Sequence, residues 1–445
     1  MNDKKSLFSD APISEAVTKM ALPCIISSLI LIIYNMADTF FVGQTQNAFQ
    51  VAAVSLTNPI FVLFMAVANL FGIGGSAMIS ILLGQNKKEK VKSVSSFCCY
   101  ASISIGILSC LLILMFMNPL LKLLGSSPDT YEFSKDYLFY IALGGPFILF
   151  SNSFGHIVRG EGASNISMIG GLIGTIVNIV LDPIFILTLD MGTAGAAIAT
   201  VIGNIAGCLY YLWYFNKGKS SLSINPCYLA GEKKTMLQTT NIGIPSGINS
   251  ALMSVSTILF NNVVVSYGDT PLAAMGIVTK IYLLIVFIHM GISNGVQPLL
   301  GYNYGCGNHK RFFSVLKFSV LCTVIFGTIL SGICILFRYP IIRLFIDNTS
   351  VINYGAKMLT ATSLAGPVLG ILFLCITSMQ ALNNPFSSTM LSVCRQGIFF
   401  IPLLYALNFF FGLTGVIYTQ TITDYLTIII SIFFLKSSLK KMKNL

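Results

Sequence analysis

The chain has 445 residues, of which 55% are hydrophobic and only 9% are charged. Its mean hydropathy of +0.82 excludes an ordinary soluble domain, which must cover its surface with polar side chains. The net charge of +11 is spread through short breaks between apolar runs, so it does not indicate nucleic-acid binding. The composition predicts an all-α polytopic membrane protein.

Twelve apolar stretches are each long enough to cross a hydrocarbon core of about 30 Å as a helix. In chain order these predicted transmembrane helices are 18–42, 51–83, 94–118, 137–158, 165–189, 194–215, 237–266, 272–301, 313–337, 356–380, 386–410 and 413–435. An even number of crossings places both termini on the same side of the membrane.

The distribution of positive charge between the loops predicts the orientation. Loops on the side of the termini carry most of the Lys and Arg residues, including Lys87, Lys88, Lys90 and Lys92. Those on the other side carry only Lys122, Lys135, Arg338, Arg343 and Lys357. By the positive-inside rule we expect both termini to be cytoplasmic and the protein to lie in the cell membrane.

The two halves of the sequence are similar at a shift of about 221 residues. Pro119-Leu-Leu-Lys122 aligns with Pro340-Ile-Ile-Arg343, and Leu143-Gly-Gly-Pro146 aligns with Leu364-Ala-Gly-Pro367. Ordered matches at one offset predict two six-helix lobes related by a pseudo-twofold axis along the membrane normal. The predicted N-terminal lobe is 1–215, the cytoplasmic linker 216–234 and the C-terminal lobe 235–445.

Three carboxylates fall inside the predicted helices: Asp38, Asp182 and Asp424. Each costs about 2.5–3.5 kcal/mol at the centre of a membrane helix, so an acid without a role should be rare there. Asn178 and Asp182 are four residues apart and share one face of the fifth helix.

Pro183 follows Asp182 directly and cannot donate a hydrogen bond to the carbonyl of Ile179. That carbonyl is left free near the same face, and the proline favours a bend in the helix. An amide, a carboxylate and a free carbonyl form a partial coordination shell for H⁺ or Na⁺.

Several motifs together resemble the multidrug and toxic compound extrusion (MATE) transporters, and in particular their bacterial multidrug-export members. The resemblance rests on Tyr34-Asn-Met-Ala-Asp38-Thr-Phe-Phe-Val-Gly43, Gly72-Ile-Gly-Gly-Ser-Ala-Met78, Arg159-Gly-Glu-Gly162, Asn178-Ile-Val-Leu-Asp182-Pro183, Gly192-Thr-Ala-Gly195 and Gln297-Pro-Leu-Leu-Gly-Tyr-Asn-Tyr-Gly305. It implies a V-shaped antiporter with twelve helices that exports organic cations in exchange for inward H⁺ or Na⁺. It also implies that helices one, five and six line the N-terminal lobe, with a hydroxyl from Thr200. The predicted coupling-ion site is therefore Asp38, Asn178, Asp182 and Thr200.

The second half of the sequence departs from some relatives in that family. They carry acidic residues in helices seven, eight and ten, whereas here helix eight reads Gly291-Ile-Ser-Asn294-Gly295 and helices seven and ten contain no Asp or Glu.

A structural role for the buried polar groups is the alternative. Asp38 would then pair with Lys280 or Arg395, and Asn178 would only join neighbouring helices. For Asp424 the structural interpretation is the favoured one. Lys280 and Arg395 are predicted either as packing partners or as cavity-lining residues.

Methionine and aromatic side chains suit a promiscuous cavity for lipophilic cations, although ordinary helix packing explains each of them singly. The candidates for the substrate cavity are Tyr34, Met65, Tyr140, Phe147, Phe150, Met275, Tyr282 and Asn294. The histidines at 156, 289 and 309 show no metal-ligand spacing, and we expect them in loops or at the membrane interface.

The sequence favours a secondary active multidrug efflux antiporter without an enzymatic activity. We expect a monomer that needs the lipid bilayer, small organic cations and H⁺ or Na⁺, but no other cofactor, metal or nucleic acid. A lipid-linked oligosaccharide flippase of the same superfamily is the alternative, which would require a strongly cationic cavity. A membrane-embedded enzyme is disfavoured because no nucleophile and base pair appears in the predicted helices.

Overall fold

A computed structural model of the chain describes residues 2–218, 220–230 and 232–443. Over these residues the regular structure is helical and contains no strand, as the composition predicts. The helices are α1 (Asn2–Ser9), α2 (Ile13–Gln44), α3 (Ala48–Gly84), α4 (Lys88–Met115), α5 (Met117–Leu123), α6 (Pro128–Gly160), α7 (Ser164–Asp182), α8 (Gly192–Asn216), α9 (Lys233–Val265), α10 (Asp269–Gly305), α11 (His309–Leu336), α12 (Arg338–Arg343), α13 (Thr349–Ser363), α14 (Gly366–Ala381), α15 (Pro385–Val393) and α16 (Phe400–Lys443). Two π-helical turns, Pro183–Thr188 and Cys394–Ile398, and a 3₁₀ turn, Pro226–Ala230, complete the described structure.

The described residues can make twelve membrane crossings. Ten helical segments are each long and apolar enough to cross, and α13 with α14, bent by 45°, forms an eleventh. The segment Pro385–Lys440 has 56 residues, which as one straight helix would be roughly 84 Å long, nearly three times the hydrocarbon thickness. Non-helical backbone at Gly412 (φ 57°, ψ −143°) divides it into two crossings. The predicted fold is therefore confirmed.

Several helices extend beyond the predicted apolar stretches because their first turns are polar. The clearest case is α6, which begins at Pro128, whereas the apolar stretch begins at 137. The Ser127 hydroxyl accepts a hydrogen bond from the Thr130 amide (3.3 Å), and the Thr130 hydroxyl accepts one from the Ser127 amide (3.0 Å). This capping box satisfies amides that a helix would otherwise leave unpaired at its start.

The helices pack into two groups that meet along two seams. In the first half, α6 packs against α3, α4 and α8, and α7 packs against α2 and α8. In the second half, α14 packs against α10, α11 and α16. The seams between the halves are formed by α2 with α10 and by α3 with α9.

The segment between α8 and α9, where the linker 216–234 is predicted, is bound to the first group of helices. The Ser95 hydroxyl donates a hydrogen bond to the carbonyl of Ser223 (2.8 Å). The Lys90 ammonium forms an ion pair with Glu232 (2.7 Å), one residue before α9 begins. The connection between the halves is therefore fastened to the start of α4.

Glycines mark very close approaches between the halves at the end of the molecule that carries both termini, here called the terminus side. A Cβ added to Gly243 of α9 would overlap the carbonyl of Leu70 on α3, and one added to Gly305 of α10 would overlap that of Ile81. At the opposite end, Gly43 of α2 and Gly276 of α10 have no such neighbour within 4 Å. The halves are therefore closed against each other on the terminus side.

Candidate functional site

The four residues predicted as the coupling-ion site come together from three helices. Asn178 and Asp182 end α7, Thr200 lies on α8 and Asp38 lies on α2. The Asn178 amide donates hydrogen bonds to Asp182 Oδ1 (3.3 Å) and to Thr200 Oγ1 (3.4 Å). Asp38 lies close enough to Asp182 for their charges to interact. We refer to these four residues as the N-lobe site.

The N-lobe site contains buried oxygens without partners. Asn178, Asp182 and Thr200 are at most 2% exposed. Among the described residues, Asp38 Oδ1, Asp182 Oδ2 and Asn178 Oδ1 have no hydrogen-bond donor. Unpaired buried acceptors are costly unless something satisfies them, and such oxygens suit a proton or a hard cation such as Na⁺. The described residues contain no group of three His, Cys, Asp or Glu that could hold a metal ion.

The backbone changes its geometry directly after Asp182. The π-helical turn Pro183–Thr188 follows α7 without a gap, and its closing hydrogen bond runs from the Leu189 amide to the Ile184 carbonyl (2.9 Å). Pro183 supplies the cause, because it has no N–H to continue the α-helical pattern. The structure thus has a wide turn where the sequence predicts a bend, and π turns inside helices often occur at functional sites.

Two tyrosines extend the N-lobe site beyond the predicted set. The hydroxyls of Tyr34 and Thr200 are hydrogen-bonded (3.2 Å), so Tyr34 connects α2 to α8. The phenol of Tyr137 on α6 lies within electrostatic reach of Tyr34, Asp38 and Asp182. The sequence analysis did not name Tyr137, and it named Tyr140 only for the substrate cavity, because hydropathy does not distinguish two tyrosines three residues apart on one helix.

The third buried acid, Asp424, belongs to a separate cluster in the second half. Arg395 forms an ion pair with Asp424 (2.8 Å), and the two residues are 3% and 0% exposed. Gln420 Nε2 also donates to Asp424 Oδ1 (2.9 Å), and the Tyr282 hydroxyl donates to Oδ2 (3.4 Å). Arg395 is therefore engaged by Asp424, and the alternative in which it pairs with Asp38 is wrong. Lys280 is exposed on α10 and, within the described chain, makes no ion pair with Asp38.

A cavity of about 60 Å³ lies between the two halves, in contact with α3, α9, α10, α14 and α15. Its wall contains no charged side chain among the described residues, and it combines hydroxyls and amides with Ile73, Met290, Phe373 and Ile376. The polar groups include Asn69, Ser246, Asn249, Ser293, Asn294 and Gln380. We call it the central cavity.

Of the eight residues predicted to line a substrate cavity, Asn294 lies in the wall of the central cavity. Met65, Tyr140 and Met275 pack against hydrophobic cores, and Phe150 stacks on Phe154 with ring centroids 4.3 Å apart. Phe147 is 43% exposed, while Tyr34 and Tyr282 belong to the polar clusters described above. Apolar side chains at helical spacing mostly fill the interior of the helix groups, which composition alone does not separate from a cavity wall.

One of the three histidines differs from the expectation of loop or interfacial positions. His289 lies inside α10 and is fully buried, so the expectation is wrong for this residue. His156 lies on α6, where Arg159 donates to its Nδ1 (3.0 Å), and His309 is the first residue of α11. These helices are longer than the membrane is thick. The sequence alone therefore does not show how deep in the membrane a single histidine on such a helix lies.

Comparison with known proteins shows similarity along the whole chain. The MatE family profile matches residues 23–184 and again 245–406. The second range begins 222 residues after the first, close to the shift of about 221 residues between the two halves of the sequence. The multidrug export protein MepA of Staphylococcus haemolyticus (strain JCSC1435) is 32% identical over 430 residues, which cover 97% of this chain and 95% of the relative. MepA of Staphylococcus aureus (strain NCTC 8325 / PS 47) is 32% identical over 418 residues, with coverages of 94% and 92%.

Solved structures share the fold. A MATE transporter in the bent conformation superposes with a TM-score of 0.93 at 22% identity, covering 100% of this chain and 99% of that chain. An outward-facing multidrug resistance MATE family transporter of the MOP superfamily also superposes with a TM-score of 0.93 at 22% identity, covering 99% and 98%.

Proposed function

Because the chain belongs to the MatE family of multidrug efflux transporters, we propose that it is a secondary active antiporter that exports lipophilic organic cations in exchange for H⁺ or Na⁺. The observation that carries this proposal is the N-lobe site, where two interacting carboxyls are buried with unpaired oxygens. A carboxylate in hydrocarbon surroundings gains most when a small cation or a proton neutralises it.

The mechanism follows from the helices that the site joins. Binding of one ion removes one of the two negative charges shared by Asp38 and Asp182, which weakens the repulsion between α2 and α7 and changes the packing or bend of α2. The bond from Tyr34 to Thr200 gives α2 a direct connection to α8. Movement of α2 against α10 then favours release of the exported cation, and return of the halves to the other orientation releases the ion inside.

The proposal also covers the orientation of the protein in the membrane and the components that it requires. The protein is a multi-pass membrane transporter, and we place it in the cell membrane with both termini in the cytoplasm, so that the closed terminus side faces inward. In this assignment it acts as a monomer, catalyses no chemical reaction, and requires the bilayer and the coupling ion but no other cofactor, metal or nucleic acid. The excess of Lys and Arg in the loops on the terminus side supports the orientation.

The central cavity gives no support to the flippase alternative. A carrier of pyrophosphate-linked lipids needs positive side chains facing its substrate, because two phosphates must be paired when they leave water. The wall of the central cavity, within the described residues, consists of amides, hydroxyls and apolar groups. The buried Arg395 is already paired with Asp424.

Everted membrane vesicles test the proposal. A fluorescent lipophilic cation such as ethidium is supplied, and a pH gradient and a Na⁺ gradient are imposed one at a time without ATP. We expect at least one of the two gradients to drive accumulation of the dye in vesicles that contain the protein. Vesicles that lack the protein should accumulate none. Accumulation that requires ATP after both gradients are collapsed would contradict antiport.

A further inference from the structure

His289 is a titratable side chain inside the second half that the N-lobe site does not use. It lies on α10 and is 0% exposed. Within the described residues, neither Nδ1 nor Nε2 has a hydrogen-bond partner. Leaving a buried polar group unpaired costs about 1–3 kcal/mol, so a histidine at this position needs a reason.

The surroundings of the ring are built from small residues of two other helices. A Cβ on Gly370 of α14 would lie 2.6 Å from His289 Nδ1 and would also overlap Thr323 of α11. The ring fits because residue 370 has no side chain. The carbonyl of Gly366, at the break between α13 and α14, interacts with the imidazole without completing a hydrogen bond to it. A hydrogen-bond acceptor therefore lies close to the ring.

One polar side chain on the same helix face connects the position of the ring with the central cavity. Ser293 is four residues after His289, so both side chains lie on the same face of α10. Ser293 lines the central cavity, and its buried hydroxyl also has no partner in the described chain. A hydroxyl both donates and accepts, which makes Ser293 a suitable step between the cavity and the imidazole.

The ring is electrostatically isolated. On the helices that pack here, the titratable side chains closest in sequence to the contact with the ring are Tyr282 on α10, Cys322 on α11, Lys357 on α13 and Cys375 on α14. In the part of the chain that the structure describes, no charged side chain acts on the imidazole. A proton that binds to the imidazole therefore does not complete an ion pair with a neighbouring carboxylate.

We propose that His289 is a second proton-binding site, which takes up one H⁺ through the central cavity and releases it again in each transport cycle. This inference rests on the proposed antiport function. A lone pair of the imidazole accepts the proton to form imidazolium, and the same N–H gives it back, so no other reactant is needed. A histidine nitrogen binds H⁺, whereas Na⁺ prefers oxygen ligands, so the site discriminates in favour of protons.

The number of protons exchanged per substrate tests this proposal directly. Purified protein is reconstituted in liposomes with the membrane potential clamped to zero, and a pH difference of about one unit is opposed by a gradient of ethidium. The ethidium ratio at which net flux stops is a thermodynamic quantity that does not depend on expression or rate. Each coupled proton changes this ratio about tenfold per pH unit. For His289→Gln we expect a ratio about tenfold lower than that of the wild type.

Matched variants separate the outcomes. The chain has only three histidines, and His309→Gln, at the start of α11, should keep the wild-type ratio. If His289→Gln does not fold, His289→Asn is measured in its place. A variant at position 289 that transports slowly but stops at the wild-type ratio would overturn the second site and leave the antiport function standing. A wild type driven by Na⁺ alone would also overturn the second site, whereas a wild type driven by neither gradient would contradict the antiport function itself.

Discussion

Asp182 occupies the last position of α7, where one of its oxygens accepts from Asn178 and the other has no donor in the described chain. Asp182→Asn keeps the size of the side chain but cannot exchange a proton or hold a cation by charge. We expect export against a gradient to fall to background, measured as ethidium accumulation in everted vesicles.

Asp190→Asn is the matched control for that variant. Asp190 is an exposed acid between the π turn and α8 with a φ of 51°, a conformation that asparagine adopts readily. The control should export at the wild-type rate. Loss of export in both variants would indicate damage to the end of α7 in general, and full export by Asp182→Asn would remove Asp182 from the coupling site.

The two tyrosines of α6 provide a second comparison of single side chains. Both tyrosines belong to the same apolar core, and Tyr137 also lies within electrostatic reach of both acids. Tyr137→Phe keeps the ring but removes a hydroxyl dipole that acts on the two acids. We therefore expect Tyr137→Phe to shift the pH dependence or Na⁺ dependence of export and Tyr140→Phe to leave it unchanged. Equal behaviour of the two variants would contradict a place for Tyr137 in the site.

Sequence reasoning identified single polar groups better than it identified their partners. Asp38, Asn178 and Asp182 were visible because a carboxylate or amide stands out in an apolar run. The partnership of Arg395 with Asp424 was not visible, because it joins residues 29 positions apart across a π turn and a kink. The depth of His289 was hidden for a related reason, since helix packing and not local composition decides which ring becomes buried.

The two π-helical turns occupy corresponding helices, the fifth crossing of each half. Pro183–Thr188 follows Asp182 of the N-lobe site, and Cys394–Ile398 contains Arg395 of the other charged cluster. A π turn widens a helix and changes the direction of its side chains, so it can aim a charged group into a packed interior. The internal repeat predicted that the two helices are related. It could not predict that both contain a π turn, next to an acid in one half and around an arginine in the other.

The Arg395–Asp424 pair fastens the second π turn to α16. Asp424→Asn leaves the guanidinium buried without its counter-ion, which typically costs about 3–5 kcal/mol. We expect a clear fall in the thermal unfolding temperature of the detergent-solubilised protein, and a substantial recovery in the double variant Arg395→Gln with Asp424→Asn. A single variant as stable as the wild type would show that the pair does not support the fold.

The seam between α3 and α9 is tight enough to test the closed terminus side. Gly243→Ala would push a methyl group against the carbonyl of Leu70, whereas Gly276→Ala meets no neighbouring atom within 4 Å. Overpacking of this kind costs about 1–3 kcal/mol. Hydrogen–deuterium exchange should increase in the terminus-side ends of α3 and α9 for Gly243→Ala and stay unchanged for Gly276→Ala. Unchanged exchange in both variants would contradict the seam.

The molecule as a whole has similar halves with unequal chemistry. The first half carries two interacting acids with unpaired oxygens, and the second carries a neutralised ion pair and an isolated histidine. The repeat in the sequence predicted the two groups of six crossings. It did not predict which end of the molecule is closed, because that depends on individual glycines that allow backbones to touch.

The central claim is that the carboxyls of Asp38 and Asp182 bind the coupling ion. The most direct measurement adds ethidium to one side of proteoliposomes and records the movement of H⁺ with a pH-sensitive dye and of Na⁺ with a radioactive tracer. We expect the wild type to move one of these ions against the substrate. The double variant Asp38→Asn with Asp182→Asn should still exchange labelled for unlabelled ethidium, but it should move no Na⁺ and at most the one proton per cycle that His289 carries. Ion movement at the wild-type level in the double variant would contradict the claim.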